Sequence, residues 1–342
     1  MDADACRELD FWRNQFSQAV SFPIWPVSSR VEILSYSDAS NVACAGVRRV
    51  EDAKLKAHGN WELGELGPHT SSTWREIRAL HLLLLSTSQF LSGRFVCHHT
   101  DNQNVDRILR NGSRVRNLQD EAVAIYDLCV RNFIRLEVKW IPREVNLEAD
   151  YLSKFICKDD FQLAANVFAA LNQLWGPHSV DWFASHLSAQ VQRFFAQFWC
   201  PGCEGVDAFT GTWEKENGWF FPPPFLVGRV LDHMVETGAE GTLIVPYWPS
   251  QRWWPRLAPQ NHNPAWFVVD WRDLSVSNGL FLRCGKVDNC FTDGSLTSRV
   301  LAVRVCCWNS RRAGSVKRCR RFDMPHFLEV PGAGTAMGHC AL

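Results

Sequence analysis

Four carboxylates at well-separated positions, Asp38, Glu76, Asp101 and Asp150, are the residues whose type and placement suit chemistry. Hydrolysing a phosphodiester at neutral pH needs a more acidic attacking water. It also needs the charge building on phosphorus and the leaving oxygen to be neutralised. Two hard divalent cations about 4 Å apart can do both. Magnesium takes oxygen ligands and keeps several waters, so Asp and Glu without Cys or His are the expected protein contribution. Each carboxylate also has an ordinary structural use. Asp38 suits a turn after a strand, and Glu76, three residues after Thr73, suits a capping box. Asp101 suits a helix cap, and Asp150 suits the dipole of a helix's opening turns. Singly, those uses suffice; jointly, the positions recur at the edge of one sheet.

The surrounding elements read as mixed α/β. Val31, Ile33, Leu34 and Tyr36 form a strand that delivers Asp38 within Ser37-Asp38-Ala39-Ser40. Apolar runs at 42–50 and 55–63 extend it into a three-strand meander. From Thr70 to Ser88 the period changes, with Trp74, Ile77, Leu80, His81 and Leu84 at helical spacing. A strand from Arg94 to Thr100 runs into Asp101. Asn102-Gln103-Asn104 then open a helix that Asn111-Gly112 stop, and Ser113 to Asn132 reads as another. Ile134, Leu136, Val138 and Trp140 alternate with Arg135, Glu137 and Lys139, a half-buried strand that Pro142 ends. Asn146 is expected to cap a last helix through Phe155. Ligands of open α/β sheets bind outside the carboxyl ends of the strands, where Asp38 and Asp101 are neighbours if their strands run parallel and adjacent.

Ser-Asp-Ala-Ser at 37–40, Trp-Arg-Glu at 74–76, Thr-Asp-Asn at 100–102 and the run from Trp140 to Ser153 occur in one order. This set resembles the ribonuclease H domain of retrotransposon reverse transcriptases, most closely the DIRS-like group, over residues 5–157. The resemblance implies a ribonuclease H-like mixed five-stranded sheet with flanking helices. It carries the catalytic, metal-binding carboxylates onto Asp38, Glu76, Asp101 and Asp150. It implies two Mg2+ ions and endonucleolytic cleavage of the RNA strand of an RNA–DNA hybrid, leaving 3′-hydroxyl and 5′-phosphate ends. Recognising such a hybrid requires contacts to consecutive 2′-hydroxyls across a shallow minor groove. Backbone groups from Ala39 through Ser40 to Asn41, and the side chains of Asn102 and Gln103, are the candidates for nucleic-acid binding. Many cellular members carry a His where this chain has Arg143-Glu144-Val145-Asn146, so product release or metal exchange is expected to differ.

The organisation expected from sequence has five parts. Residues 1–30 are a connector, with a short helical pattern broken by Pro23 and Pro26. Its tail-like look suggests a fragment of a longer retroelement polyprotein whose polymerase is missing. Residues 31–157 form the ribonuclease H-like domain, 158–178 a helical linker ending near Trp175-Gly176-Pro177, 179–305 a second α/β domain, and 306–342 a basic tail. Arg304, Arg311, Arg312, Lys317, Arg318, Arg320 and Arg321 make a basic run, read as a solvated tail or a nonspecific nucleic-acid contact. The second half resembles the region after ribonuclease H in DIRS-like elements, which is similar to adenine-N6 DNA methyltransferases. Those enzymes hold a flipped base with a polar residue followed by Pro-Pro-aromatic. The matching tetrapeptide here is Pro222-Pro223-Pro224-Phe225, with proline in place of the polar acceptor, and no Gly-rich loop lies near Asp181. A degenerate methyltransferase-like domain without S-adenosylmethionine is therefore expected. Its aromatic residues are left to a core or to a platform for single-stranded nucleic acid.

Composition narrows the classes. The 342 residues are 46% hydrophobic and 21% charged, which fits two folded domains. Lys+Arg and Asp+Glu balance at 36 each, so net charge neither demands nor excludes a nucleic-acid partner. Thirteen scattered cysteines without a signal peptide read as reduced thiols inside the cell, in nucleus or cytoplasm. Cys200-Pro201-Gly202-Cys203 lacks a second pair for a closed zinc site. No apolar run approaches the roughly 18 residues of a membrane span. The rival to an active nuclease is a catalytically silent nucleic-acid-binding remnant, and a second is adenine methylation by the C-terminal half.

Overall fold

The structure, a computed structural model, describes residues 3–17, 32–50, 53–62, 64–67, 70–155, 161–259, 263–274, 280–283, 299–308 and 320–321. The chain divides into two compact units, residues 1–155 with 199–201 and residues 156–198 with 202–342.

The first unit runs α1 (Ala3–Ser17), β1 (Ile33–Ala39), β2 (Ala43–Val50), β3 (Ala53–Asn60), α2 (Ser72–Thr87), β4 (Phe95–Thr100), α3 (Gln103–Asn111), α4 (Arg116–Arg131), β5 (Arg135–Trp140) and α5 (Leu147–Ser153). Its sheet has the order β3-β2-β1-β4-β5. The first three strands pair antiparallel as a meander, and β1, β4 and β5 are mutually parallel. This is the ribonuclease H-like mixed five-stranded sheet with flanking helices that the sequence led us to expect. The remainder of the expected connector, residues 18–31, lies outside the described residues.

Packing explains the arrangement. Ile77, Leu80 and Leu84 of α2 form an apolar stripe at helical spacing and share a buried cluster with Ile33, Val96, Ile125 and Val138. Close approach of α2 depends on Gly46 in β2. A Cβ there would lie 2.4 Å from a Leu83 methyl and 2.8 Å from the Tyr36 carbonyl oxygen. Register between β1 and β4 is fixed by a buried imidazole: His98 stands opposite Ser35 and bonds the hydroxyls of Ser35 at 3.0 Å and Ser37 at 3.1 Å. Burial, reinforced by the Arg48 charge, holds the His98 pKa well below the usual imidazole range, so the ring is neutral. Arg48 itself is fully buried in β2, and none of its guanidinium nitrogens has a hydrogen-bond partner among the described residues. Desolvation pushes its pKa down to about 9.

The second unit continues with β6 (Phe161–Leu163), α6 (Ala165–Trp175), β7 (Val180–Asp181), β8 (Phe195–Ala196), β9 (Gly205–Val206), β10 (Asn217–Phe220), α7 (Val227–Thr237), β11 (Glu240–Pro246), α8 (Trp254–Leu257), β12 (Val268–Asp273), β13 (Phe281–Arg283), β14 (Val300–Cys306) and β15 (Arg320–Arg321). Its main sheet has the order β15-β12-β14-β11-β10-β7, with β7, β10 and β11 parallel and β14 antiparallel to both its neighbours. It is a second α/β unit. Two expectations change here. The segment read as a linker supplies α6, whose Val167, Leu171 and Trp175 are buried with Trp219, Ile244 and Val300, so it belongs to this unit's core. Arg304, read as part of a solvated run, lies in β14 and bonds Asn217 and Glu240. Arg320 and Arg321 pair with β12, and the rest of the expected tail beyond Trp308 lies outside the described residues.

Two substitutions test this packing. Gly46→Ala should cost about 1–3 kcal/mol in urea unfolding by overpacking α2 against β2. Arg48→Met, which removes a buried unpaired charge at similar volume, should leave stability unchanged or raise it; a clear loss would show that the guanidinium is stabilising.

Candidate metal centre

Asp38 sits one residue from the end of β1 and is 5% exposed. Ser153 Oγ, at the end of α5, donates to its carboxylate. Burial raises the Asp38 pKa; the Ser153 bond opposes this, and the charges of Asp101 and Asp150 add to it. Glu76 projects from α2 and is 8% exposed. Its Oε1 accepts the Ala39 amide at 3.2 Å, while its Oε2 is buried without a partner. Burial, then the charges of Asp38 and Asp101, push the Glu76 pKa well above the carboxylate range. Asp101 follows β4, where its backbone carbonyl accepts Trp140 Nε1 at 3.0 Å.

The three residues meet. Each of Asp38, Glu76 and Asp101 offers a carboxylate oxygen within 4.8 Å of the other two. Like charges at this spacing in a part-buried site repel, and only a cation or a proton relieves them. The donor set is all oxygen, with one orphaned oxygen already buried, which suits a hard ion such as magnesium. Among the described residues no other grouping of His, Cys, Asp and Glu has this spacing. Cys200 and Cys203 are buried thiols.

The capping roles open to Glu76 and Asp101 are taken by others, whereas Asp150 does lie in the first turn of its helix. Ser71, not Thr73, caps α2 by accepting the Trp74 amide at 3.1 Å, so Glu76 is not half of a capping box. Asn102, not Asp101, caps α3, accepting the Asn104 amide at 3.0 Å. Asn146 precedes α5 but does not cap it; its side-chain amide donates instead to the Ser37 carbonyl at 2.8 Å.

Asp150 stands apart from the three. It lies in the first turn of α5, with Arg143 Nη2 at 2.8 Å on one oxygen and Lys154 Nζ at 2.5 Å on the other. The Lys154 ammonium, aided by Arg143 against partial burial, holds the Asp150 pKa below its usual value. The sequence reading placed Arg143 in the loop ahead of Asp150 without pairing it to that carboxylate, and it missed Ser153 and Lys154 as members of the site. Lys154 was findable, since a residue four beyond an acid on a helix is its neighbour.

The nucleic-acid candidates divide. Ser40 Oγ donates to the Ser153 carbonyl at 2.6 Å and accepts the amides of Val42 and Ala43, so its hydroxyl is spent on the turn. The Ala39 amide is spent on Glu76, and the Ser40 carbonyl accepts Trp61 Nε1 at 3.0 Å. These two backbone groups thus serve the turn and the carboxylate cluster. Asn41 accepts from Arg75, and Asn102 donates to Thr73 Oγ1 at 3.4 Å as well as capping α3. Gln103 is exposed.

Ribonuclease H domains are among the solved structures similar to this chain. Ribonuclease H1 from Halobacterium salinarum is 19% identical over 35% of this chain and 92% of that chain, with a TM-score of 0.29. LC11 ribonuclease H1 in complex with an RNA/DNA hybrid is 22% identical over 35% of this chain and 92% of that chain, with a TM-score of 0.27. Prototype foamy virus protease-reverse transcriptase is 15% identical over 39% of this chain but 22% of that chain, with a TM-score of 0.27. No protein-family model and no curated protein matches. At such scores these are similarities only, and the fold stands on its own strand order.

In the second unit, Pro222 to Phe225 directly follow β10 and its neighbour Phe221, at the carboxyl end of a parallel strand beside β7. Pro222 is buried and Phe225 is 74% exposed. Proline offers no side-chain acceptor there, and Asp181 gives its two oxygens to the amides of Phe183 and Gln190.

The crowded carboxylates set a pH signature. Groups whose folded pKa is raised favour the fold below their unfolded pKa, and that advantage is lost as pH rises through the raised values. Urea unfolding in chelator should therefore show stability falling from the ordinary carboxylate range upward, with a shallower slope in Glu76→Gln. Magnesium at a hundred times its Kd should restore about 2.7 kcal/mol at neutral pH.

Proposed function

We propose that the first unit is a ribonuclease H: a magnesium-dependent endonuclease that hydrolyses the RNA strand of RNA–DNA hybrids, of retroelement origin. The observation that carries this reading is the convergence of Asp38, Glu76 and Asp101, from three separate elements, at the carboxyl edge of β1 and β4. The four motifs at 37–40, 74–76, 100–102 and 140–153 support the hybrid substrate and the retroelement origin.

The chain's own residues prepare the reaction. Ser153 fixes the rotation of the Asp38 carboxylate, and the Ala39 amide fixes Glu76 Oε1, which leaves Oε2 buried without a partner. Asp38, Glu76 and Asp101 would hold magnesium, with Asp150 as a fourth ligand. Such ions would supply a more acidic attacking water and charge to offset the leaving oxygen. Gln103, exposed at the start of α3, and the exposed Asn41 would meet the sugar-phosphate backbone. With formal net charge zero, hybrid binding should be weak and salt-sensitive.

The test is cleavage of a labelled RNA–DNA hybrid at low salt with Mg2+, beside duplex DNA and duplex RNA. Wild type should cut only the RNA of the hybrid, and Asp101→Asn should lose at least about 100-fold, the loss of a few kcal/mol of charge stabilisation. Hybrid binding without turnover by wild type would overturn the enzymatic reading in favour of a silent binding domain.

A further inference from the structure

The fourth carboxylate is not merely farther from the cluster; it is already neutralised. Asp150 carries a cation on each oxygen, Arg143 at 2.8 Å and Lys154 at 2.5 Å, whereas the described structure gives Asp38, Glu76 and Asp101 no such ion pair. The two cations come from opposite sides of Asp150 in sequence. Arg143 lies in the short turn Arg143–Val145 before α5, and Lys154 follows its last residue. Both are more than half exposed while the Asp150 side chain is 17% exposed, so the heads can leave for water without unfolding anything, and the carboxylate cannot.

From this geometry we infer that Lys154 and Arg143 form a displaceable cationic clamp on Asp150, which divides the proposed metal centre into two unequal halves. One ion is taken by Asp38, Glu76 and Asp101, whose repulsion favours it. A second, which needs Asp150, binds only by displacing the clamp. Lys154 and Arg143 are positioning residues, acting on the centre through Asp150. A displaced ammonium and guanidinium are also left at the rim of the centre, where a phosphate diester of the substrate can accept them. Loading of the second ion and seating of an anionic substrate would then favour each other, because the clamp releases to the substrate what it withdraws from Asp150.

The inference rests on the proposed function, and its test separates the two. Titrate Mg2+, and in parallel Mn2+, into the metal-free full chain by calorimetry with no nucleic acid present. Wild type should take one ion more tightly than a second. Lys154→Met should tighten the second ion about two- to fivefold, the scale of losing one exposed ion pair, and leave the first unchanged. Arg143→Met should act in the same direction, and Lys154→Arg should restore wild-type behaviour. A purely structural role for Lys154 would instead weaken both ions together with thermal stability. If wild type binds ions and cuts hybrid but Lys154→Met leaves the second affinity unchanged, the clamp is overturned and the nuclease reading stands. If wild type binds no ion, both fall.

Discussion

Three carboxylates within 4.8 Å of one another, two of them buried, make a constraint that the first unit is built to tolerate. Such a group is unfavourable in a folded chain without a cation, because burial and mutual repulsion both penalise the charged forms. Chains tolerate such strain at sites that use it. The compensation lies in the scaffold. Ile33 and the α2 stripe bury together in one cluster, and the neutral His98 imidazole ties the two parallel strands to each other. Glu76 reaches the cluster because α2 rests close on β2, an approach that Gly46 permits.

The opposing treatment of Asp150 fits the same logic. A carboxylate nearer solvent can be balanced by long, exposed side chains whose pairing is individually weak. Buried carboxylates have no room for such partners and leave their balance to whatever enters. The centre therefore combines a fixed deficit of positive charge at Asp38, Glu76 and Asp101 with a reversible supply at Asp150.

Local patterns revealed the first unit because its elements announce themselves locally. The alternation from Ile134 to Trp140 is β5, and the helical spacing from Trp74 to Leu84 is α2. Asp38 and Asp101 became plausible neighbours through a general rule about sheet edges, and the parallel pairing of β1 with β4 satisfies its condition. What stayed hidden depends on contacts distant in sequence. Trp175-Gly176-Pro177 carries every local mark of a boundary, yet Trp175 is buried against strands that come later in the chain. Nothing near Ser40 in sequence shows that its hydroxyl closes the turn and reaches Ser153. Thr73 and Glu76 match a capping box by spacing, but Ser71 competes for the same helix end and takes it.

The two bonds of Ser153 and Ser40 also bear on the order in which the molecule is made. They join residues 115 and 113 positions apart, Asp38 to Ser153 and Ser40 to Ser153, so the first strand of the unit is finished by its last helix. Contacts of such sequence separation form late, after the entropy of closing the intervening chain has been met. A nascent chain emerging from the amino end thus exposes Asp38 long before Ser153 exists to orient it. The carboxylate cluster is then finished only with completion of the whole unit, a timing written into chain order.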